Sequence, residues 1–217
     1  MLHIVRDLVS RLIRKNLGVA VVTLNFDGVN YDNPRDASVS AKEMMKNGLS
    51  ERAEEFLQAA IIKWPDNVFL CNQLMNCIKQ PDKALSVFQY MREANVPADV
   101  VTFNTLINIF GRAGQVETVW NIFQEMHETK VPVDTRTLNS LVDIFCKAGK
   151  WEMIRNVLRD IHDMGITVET SVCNRLINLC GKAEQLDISW GIFQDMREIG
   201  IAADRVTYGT LIVTFSK

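Results

Sequence analysis

The sequence carries almost no surplus of positive charge. Its 24 Lys and Arg residues are set against 26 Asp and Glu, a formal net charge of -2. A chain of this balance does not hold nucleic acid by bulk attraction, so any such contact must come from a local basic stripe. Cysteines are few and odd in number: Cys71, Cys77, Cys146, Cys173 and Cys180 contain no C-x-x-C pair. That spacing argues against a disulfide framework or a zinc ribbon, and suits a reducing compartment where free thiols fill apolar positions. The three histidines (His3, His127, His162) are scattered without ligand spacing and read as surface helix residues, so no metal or other cofactor is expected. No apolar run approaches the roughly 18 residues of a membrane span; the longest, around Gly18–Val22, is far too short, and no membrane partner is expected.

What the chain does have is a repeat. Val100-Val-Thr-Phe-Asn-Thr-Leu-Ile-Asn-Ile-Phe-Gly-Arg-Ala-Gly114 returns 35 residues later as Thr135-Arg-Thr-Leu-Asn-Ser-Leu-Val-Asp-Ile-Phe-Cys-Lys-Ala-Gly149. Thr170–Ala183 follows in the same register, and Arg205–Lys217 begins again. A period of this size marks an all-α solenoid of stacked helix-turn-helix units, in which function sits on rows built from the same position of successive units. In unit 100–134, Val100, Phe103, Leu106, Ile107 and Phe110 form the apolar arc of a first helix. Gly114 closes that helix, as Gly149 does one unit on. The second helix carries Val119, Trp120, Ile122, Phe123 and Met126. Phe88, Phe123, Leu158 and Phe193 share one period, and Met91, Met126, Ile161 and Met196 share another. Such periodic apolar positions form the core between stacked pairs.

The repeat array is expected over 34–217, with units at 100–134, 135–169 and 170–204 and a partial unit at 205–217. Unit 68–99 is short by three residues around Lys79-Gln-Pro-Asp82, and 34–67 is a degenerate unit with helices over Val39–Lys46 and Glu51–Ile62. Residues 1–33 fall outside the period. There Leu2, Val5, Leu8, Val9, Leu12 and Ile13 alternate with Arg6, Arg11, Arg14 and Lys15 as an amphipathic helix. A basic targeting presequence and a capping helix are both open readings of it. Asn25–Pro34 has turn chemistry, and its neighbouring carboxylates Asp27, Asp32 and Asp36 read as solvated loop residues rather than calcium ligands.

On a helical wheel a polar stripe flanks the apolar arc. It holds Val101, Asn104, Asn108 and Arg112, then Arg136, Asn139, Asp143 and Lys147, then Ser171, Asn174, Asn178 and Lys182, and finally Val206, Gly209, Val213 and Lys217. Asn recurs at Asn72, Asn104, Asn139 and Asn174, and a cation at Arg112, Lys147, Lys182 and Lys217. An Asn amide carries donors and an acceptor and can read the pairing edge of an unstacked base; a cation beyond it can meet a phosphate. Each row also has a structural reading. Cations suit helix C-termini, repeated Asn residues can bond a neighbour's backbone, and the residues closing each unit (Asp99, Asp134, Glu169, Asp204) stand where N-caps stand, with Glu the poor one.

These segments resemble the pentatricopeptide repeat family. The resemblance lies in Val-Val-Thr-Phe-Asn-Thr-Leu-Ile at 100–107, Lys-Ala-Gly at 147–149, Phe-Gln-Glu-Met at 123–126, Phe-Gln-Asp-Met at 193–196, and the closing Val-Pro-Ala-Asp99, Val-Pro-Val-Asp134 and Ile-Ala-Ala-Asp204. It implies a right-handed superhelix that binds single-stranded RNA, one base per repeat, in mitochondria or chloroplasts. It further implies that Asn72 with Asp99, Asn104 with Asp134, and Asn174 with Asp204 prefer uracil. Asn139 with Glu169 departs from that pattern and implies a pyrimidine. Val101, Arg136 and Ser171 would flank bases, while Arg112, Lys147, Lys182 and Lys217 would meet phosphates. The sequence shows no deaminase signature and no nucleophile–base pairing, so no enzyme is expected. A protein-binding helical scaffold, with protein partners in place of RNA, is the alternative reading.

Overall fold

The computed structural model describes residues 32–216. The segment Leu2–Lys15, Asp27 and Lys217 lie outside the described residues. Every regular element among the described residues is an α-helix. In chain order these are α1 (Pro34–Lys46), α2 (Ser50–Lys63), α3 (Val68–Ile78), α4 (Pro81–Glu93), α5 (Val100–Arg112), α6 (Val116–Glu128), α7 (Thr135–Lys147), α8 (Trp151–Asp163), α9 (Thr170–Lys182), α10 (Leu186–Glu198) and α11 (Arg205–Phe215). The helices α5, α7, α9 and α11 begin at equivalent positions of the sequence repeat, and short turns join α5, α7 and α9 to their second helices.

The local chemistry sets the boundaries. α1 begins at Pro34, earlier than the sequence pattern suggests: the expected loop gives way to helix because the Asn33 side chain accepts from the backbone N–H groups of Arg35 and Asp36 at 2.9 and 3.0 Å. Proline at the first helical position suits that start. Asp36, expected in the loop, instead takes a hydrogen bond from Asn33 Nδ2 at 2.7 Å in the first turn of α1. After α5 and α7 the chain reverses through Gly114 and Gly149, at φ +74° and +66°, a left-handed geometry that glycine adopts without a steric penalty. Glu184 takes the same place after α9 at φ 60°, at a cost of about 1 kcal/mol. In unit 68–99, α3 has 11 residues where α5 has 13. Lys79 provides the left-handed turn at φ 55°, and α4 starts two residues later. The three missing residues are thus the last two of the helix and one of the turn.

The chain divides into two compact units, Met1–Ile109 and Phe110–Lys217, with the boundary inside α5. In the first, α2 packs on α1 and α3, and α3 on α4. Phe56, Leu57, Leu70, Leu74 and Met75 are fully buried. Phe88 meets Phe103 edge to face at 5.7 Å, and the buried Tyr90 donates its hydroxyl proton to the Pro65 carbonyl at 3.2 Å. The phenol is thereby satisfied in the core.

In the second unit first helices pack on first helices (α7, α9, α11) and second on second (α8, α10). Phe123, Leu158, Phe193, Met126, Ile161 and Met196 are all buried, as their shared period requires. Leu158 is smaller than its phenylalanine counterparts, and a small apolar gap lined by Leu138, Leu141, Phe145, Leu158, Ile161 and Val172 lies beside it. Close approach of the first helices depends on two glycines: a Cβ on Gly111 would strike the Ile144 side chain, and one on Gly181 the Thr214 side chain. Asp195 has no exposed side-chain surface and accepts from Arg155 Nε at 2.9 Å and Nη2 at 3.1 Å, and also from Arg159. Burial alone would raise its pKa, but these two guanidinium groups outweigh burial and hold it below the usual carboxylate range.

Cys71, Cys77, Cys173 and Cys180 are buried and Cys146 is half-buried. Burial pushes the Cys71 and Cys173 thiols up to about 12 and Cys180 to about 11, so they serve as apolar filling.

Candidate nucleic-acid interface

Two of the Asn residues singled out by their spacing meet the unit-closing acid with which they were paired. In the first compact unit, Asn72 Nδ2 donates to Asp99 Oδ1 at 3.0 Å. In the second, Asn174 Nδ2 donates to Asp204 Oδ1 at 3.1 Å. The residues of each pair stand 27 and 30 positions apart, so only the stacking of consecutive units brings them together. Asn72 is 2% and Asn174 9% exposed.

The acids also cap the following helix. Asp99 Oδ1 accepts from the Thr102 N–H at 2.8 Å, Asp134 Oδ1 from the Thr137 N–H at 2.7 Å and Asp204 Oδ1 from the Thr207 N–H at 2.8 Å. Capping and pairing are therefore not rival readings; one oxygen does both. The Thr207 N–H and hydroxyl, with the Asn174 amide, hold Asp204 below the usual carboxylate range. For Asp134 burial opposes the shift, and the Thr137 N–H and hydroxyl with the Arg136 charge overcome it.

The third pair does not form. Glu169 makes no cap bond, as expected of a poor capping residue. Its carboxylate accepts instead from the hydroxyls of Thr135 at 2.9 Å and Ser171 at 3.1 Å. Asn139 is half-exposed and its side chain makes no hydrogen bond among the described residues. Asn104 is also half-exposed. Its backbone carbonyl accepts from Asn108 Nδ2 at 2.8 Å, while its side-chain oxygen is buried without a partner among the described residues.

The expected flanking residues Val101, Arg136 and Ser171 are exposed, as are the cations Arg112, Lys147 and Lys182 at the last turns of α5, α7 and α9. Their placement agrees with the helix-terminus preference for cations and leaves them open to solvent. Between α7, α9 and α11 lies an open hollow of about 370 Å³, lined by Asn139, Ser171, Asn174, Arg175, Asn178 and Val206 among others. Arg175, which lines the hollow, grips Asp143 through both carboxylate oxygens, at 2.7 and 2.6 Å from Nη2. The sequence stripe contains Asp143 but gives no sign of this pair, because Arg175 sits one residue outside it. Gly209 leaves the Asn position of the last unit empty, with nothing within 4 Å of a Cβ placed there. Among the described residues there is no group of His, Cys, Asp or Glu able to hold a metal, and no helix is long and apolar enough to cross a membrane.

The described chain is similar in fold to solved helical-repeat structures. The maize pentatricopeptide repeat protein PPR10 superimposes with a TM-score of 0.63 at 20% identity, covering 97% of this chain and 31% of that one. PPR10 in complex with an 18-nt psaJ RNA element gives 0.52 at 19% identity over 99% of this chain and 31% of that one. The pentatricopeptide repeat domain of Arabidopsis thaliana protein-only RNase P 1, in complex with tRNA, gives 0.59 at 13% identity over 82% of this chain and 96% of that domain. The chain thus spans about a third of the length of PPR10. No curated protein matches it in sequence. Sequence models of the repeat do match: one described as a PPR repeat family over residues 98–147, one as a PPR repeat over 136–166, and one as a pentatricopeptide repeat domain over 66–113 and 156–217. With half of its length matched by that last model alone, the chain belongs to the pentatricopeptide repeat family.

Proposed function

We propose that this chain binds single-stranded RNA in a sequence-selective way, one base per repeat, and acts by occupying a transcript rather than by catalysis. The observation that carries this reading is the pairing of Asn72 with Asp99 and of Asn174 with Asp204. These are amides and carboxylates from consecutive units, and Asn174 lines a hollow that is mostly polar and open to solvent. Solved relatives seen with an RNA element and with tRNA support the same reading. Asn72, Asn104 and Asn174 are assigned to uracil, Asn139 with Glu169 to a pyrimidine, and Arg112, Lys147 and Lys182 to phosphates. Val101, Arg136 and Ser171 flank the bases. The implied target, 5′ to 3′, is U-U-pyrimidine-U in an organellar transcript, mitochondrial or chloroplast. The array is proposed to run over residues 34–217.

A protein-binding scaffold is the second reading, and the burial of Asn72 and Asn174 favours it. Against it, these amides are spent on the carboxylates of their own pairs and not on a neighbour's backbone. Fluorescence anisotropy with U-rich and A-rich strands of about eight nucleotides separates the two. Preference for the U-rich strand, at about micromolar affinity given the few units, supports base reading. A folded protein that binds neither strand at low salt is a scaffold or a piece too short to act alone.

A further inference from the structure

The Asn–Asp pairs contain a third member that the base-reading assignment leaves out. Thr207 Oγ1 lies 2.7 Å from Asn174 Oδ1 and 2.9 Å from Asp204 Oδ1, and it accepts from the Asp204 N–H at 3.0 Å. Thr102 repeats this around Asn72 and Asp99, at 2.8, 2.9 and 3.1 Å. Thr102 and Thr207 have no exposed surface.

The chemistry of the three groups tells the two ends of the amide apart. An ionised carboxylate only accepts, so it must face Nδ2; the single hydroxyl proton is shared between the carboxylate and the nearer Oδ1, so Oδ1 is the amide end that suits it. A flipped amide would set two oxygens against each other at about 3 Å and leave a buried acceptor unmet, a penalty of about 1–3 kcal/mol. One N–H of each Asn remains uncommitted, and its position on the amide is fixed.

The unit of Asn139 lacks both partners. Asp is replaced there by Glu169, whose carboxylate is turned to Thr135 and Ser171. The threonine position is occupied by Val172, which is 1% exposed and has no hydroxyl. Both departures fall in the same slot, and the Asn139 side chain makes no hydrogen bond among the described residues; the Asn104 side chain makes none either, and its acid and threonine, Asp134 and Thr137, belong to the other compact unit.

We infer that Thr102 and Thr207 are positioning residues that lock the orientation of Asn72 and Asn174, and that the Asn139 slot, lacking the lock, discriminates less between bases. A locked amide presents one pattern of donor and acceptor to a base edge, whereas an unlocked one presents either. This rests on the RNA-binding reading for its consequence, but the lock itself is a property of the free protein.

Two readouts test it on the full chain. The first is hydrogen exchange of the Asn side-chain amide protons by NMR, without RNA. Asn72 and Asn174 should exchange more slowly than Asn139; Thr207→Val should speed Asn174 alone, and Thr207→Ser should restore it. The second is binding of strands that differ at one position. Thr207→Val should shrink the U-over-C preference opposite Asn174 by about fivefold. The double change Glu169→Asp with Val172→Thr should create such a preference opposite Asn139. Equal exchange at Asn139 and Asn174 overturns the lock. So does a Thr207→Val protein whose affinity falls equally for all strands with its preference intact, because that marks a merely structural residue. If no strand binds any variant, the RNA reading fails, and the exchange measurement still decides whether the amides are locked.

Discussion

Asn174 and Asp204 come from consecutive units and share one hydrogen bond at 3.1 Å, and the same carboxylate oxygen that receives it also caps α11. Under the proposed base reading, stability and recognition draw on a single atom. A substitution at Asp204 removes a cap and an amide anchor together, so its effects on folding and on binding cannot be separated there. They can be separated at Asp134 and Glu169.

Asp134→Ala removes the cap bond to the Thr137 N–H and should lower stability by about 1 kcal/mol. Glu169→Ala removes no cap bond and should leave the midpoint of chemical denaturation close to that of the parent. Equal losses for the two variants would show that capping does not distinguish these units.

The caps also set an acid limit. Asp134 and Asp204 have folded pKa values lowered from the ordinary carboxylate value. The unfolded state therefore binds protons more readily, and stability from these groups is fully present above the unfolded value of about 3.9. It is lost as pH falls through the lower folded values. Thermal melts across this acid range should show a falling midpoint, and Asp134→Asn, which keeps a capping oxygen without a titrating group, should flatten part of that fall.

The fold was legible because every level of the pattern agrees: Phe88, Phe123 and Phe193 mark the same buried position, and Gly114 and Gly149 the same turn. The start of α1 was legible too, in Asn33-Pro34, but turn chemistry and an N-cap followed by proline use the same residues, and the loop reading took precedence. The pairing of Asn with the closing acid came only with the family resemblance. The third member could have been found without it: Asp-x-x-Thr recurs at 99–102, 134–137 and 204–207, and Glu-x-x-Val stands at 169–172. Ordinary capping gives the same signal, so the spacing alone does not separate the two roles. Asp195 was beyond reach, since its arginines lie 36 and 40 residues away at positions without a repeat.

Asp195 provides an asymmetric test of a buried charge. Removing both Arg155 and Arg159 leaves a carboxylate with no exposed surface unpaired. The expected loss is about 3 kcal/mol, the lower end of the range for a broken buried pair, because the arginines that cover it are partly exposed and water can enter in their place. Asp195→Ala should cost less, since its arginines, with side chains 36% and 50% exposed, rehydrate. A larger loss for Asp195→Ala in urea titration would contradict burial as the controlling factor.

Two helix glycines, Gly181 and Gly209, should respond in opposite directions. Gly181→Ala pushes a methyl into Thr214 and should destabilise by about 1–3 kcal/mol. Gly209→Ala meets nothing within 4 Å in the interior of α11, and should stabilise by about 0.4–1 kcal/mol by restricting the unfolded chain. Melting temperatures of the two variants, compared with the parent, check both signs.

The salt dependence of RNA binding should single out which cations are available. Each phosphate neutralised on a single strand contributes about 0.7 to the slope of log K against log salt. Lys147 and Lys182 are exposed at the ends of α7 and α9, so Lys147→Ala should make the slope shallower by about 0.7 while leaving the preference among bases unchanged. Arg175 faces the same hollow, but Asp143 occupies its guanidinium through both oxygens, so Arg175→Ala should leave the slope as it is. Asp143→Asn keeps the shape of that side chain and removes its charge. The freed Arg175 should then steepen the slope by about 0.7 and tighten binding most at low salt. If Asp143→Asn leaves the slope untouched while Lys147→Ala reduces it, phosphates run past the ends of the first helices and not across the hollow where Arg175 lies.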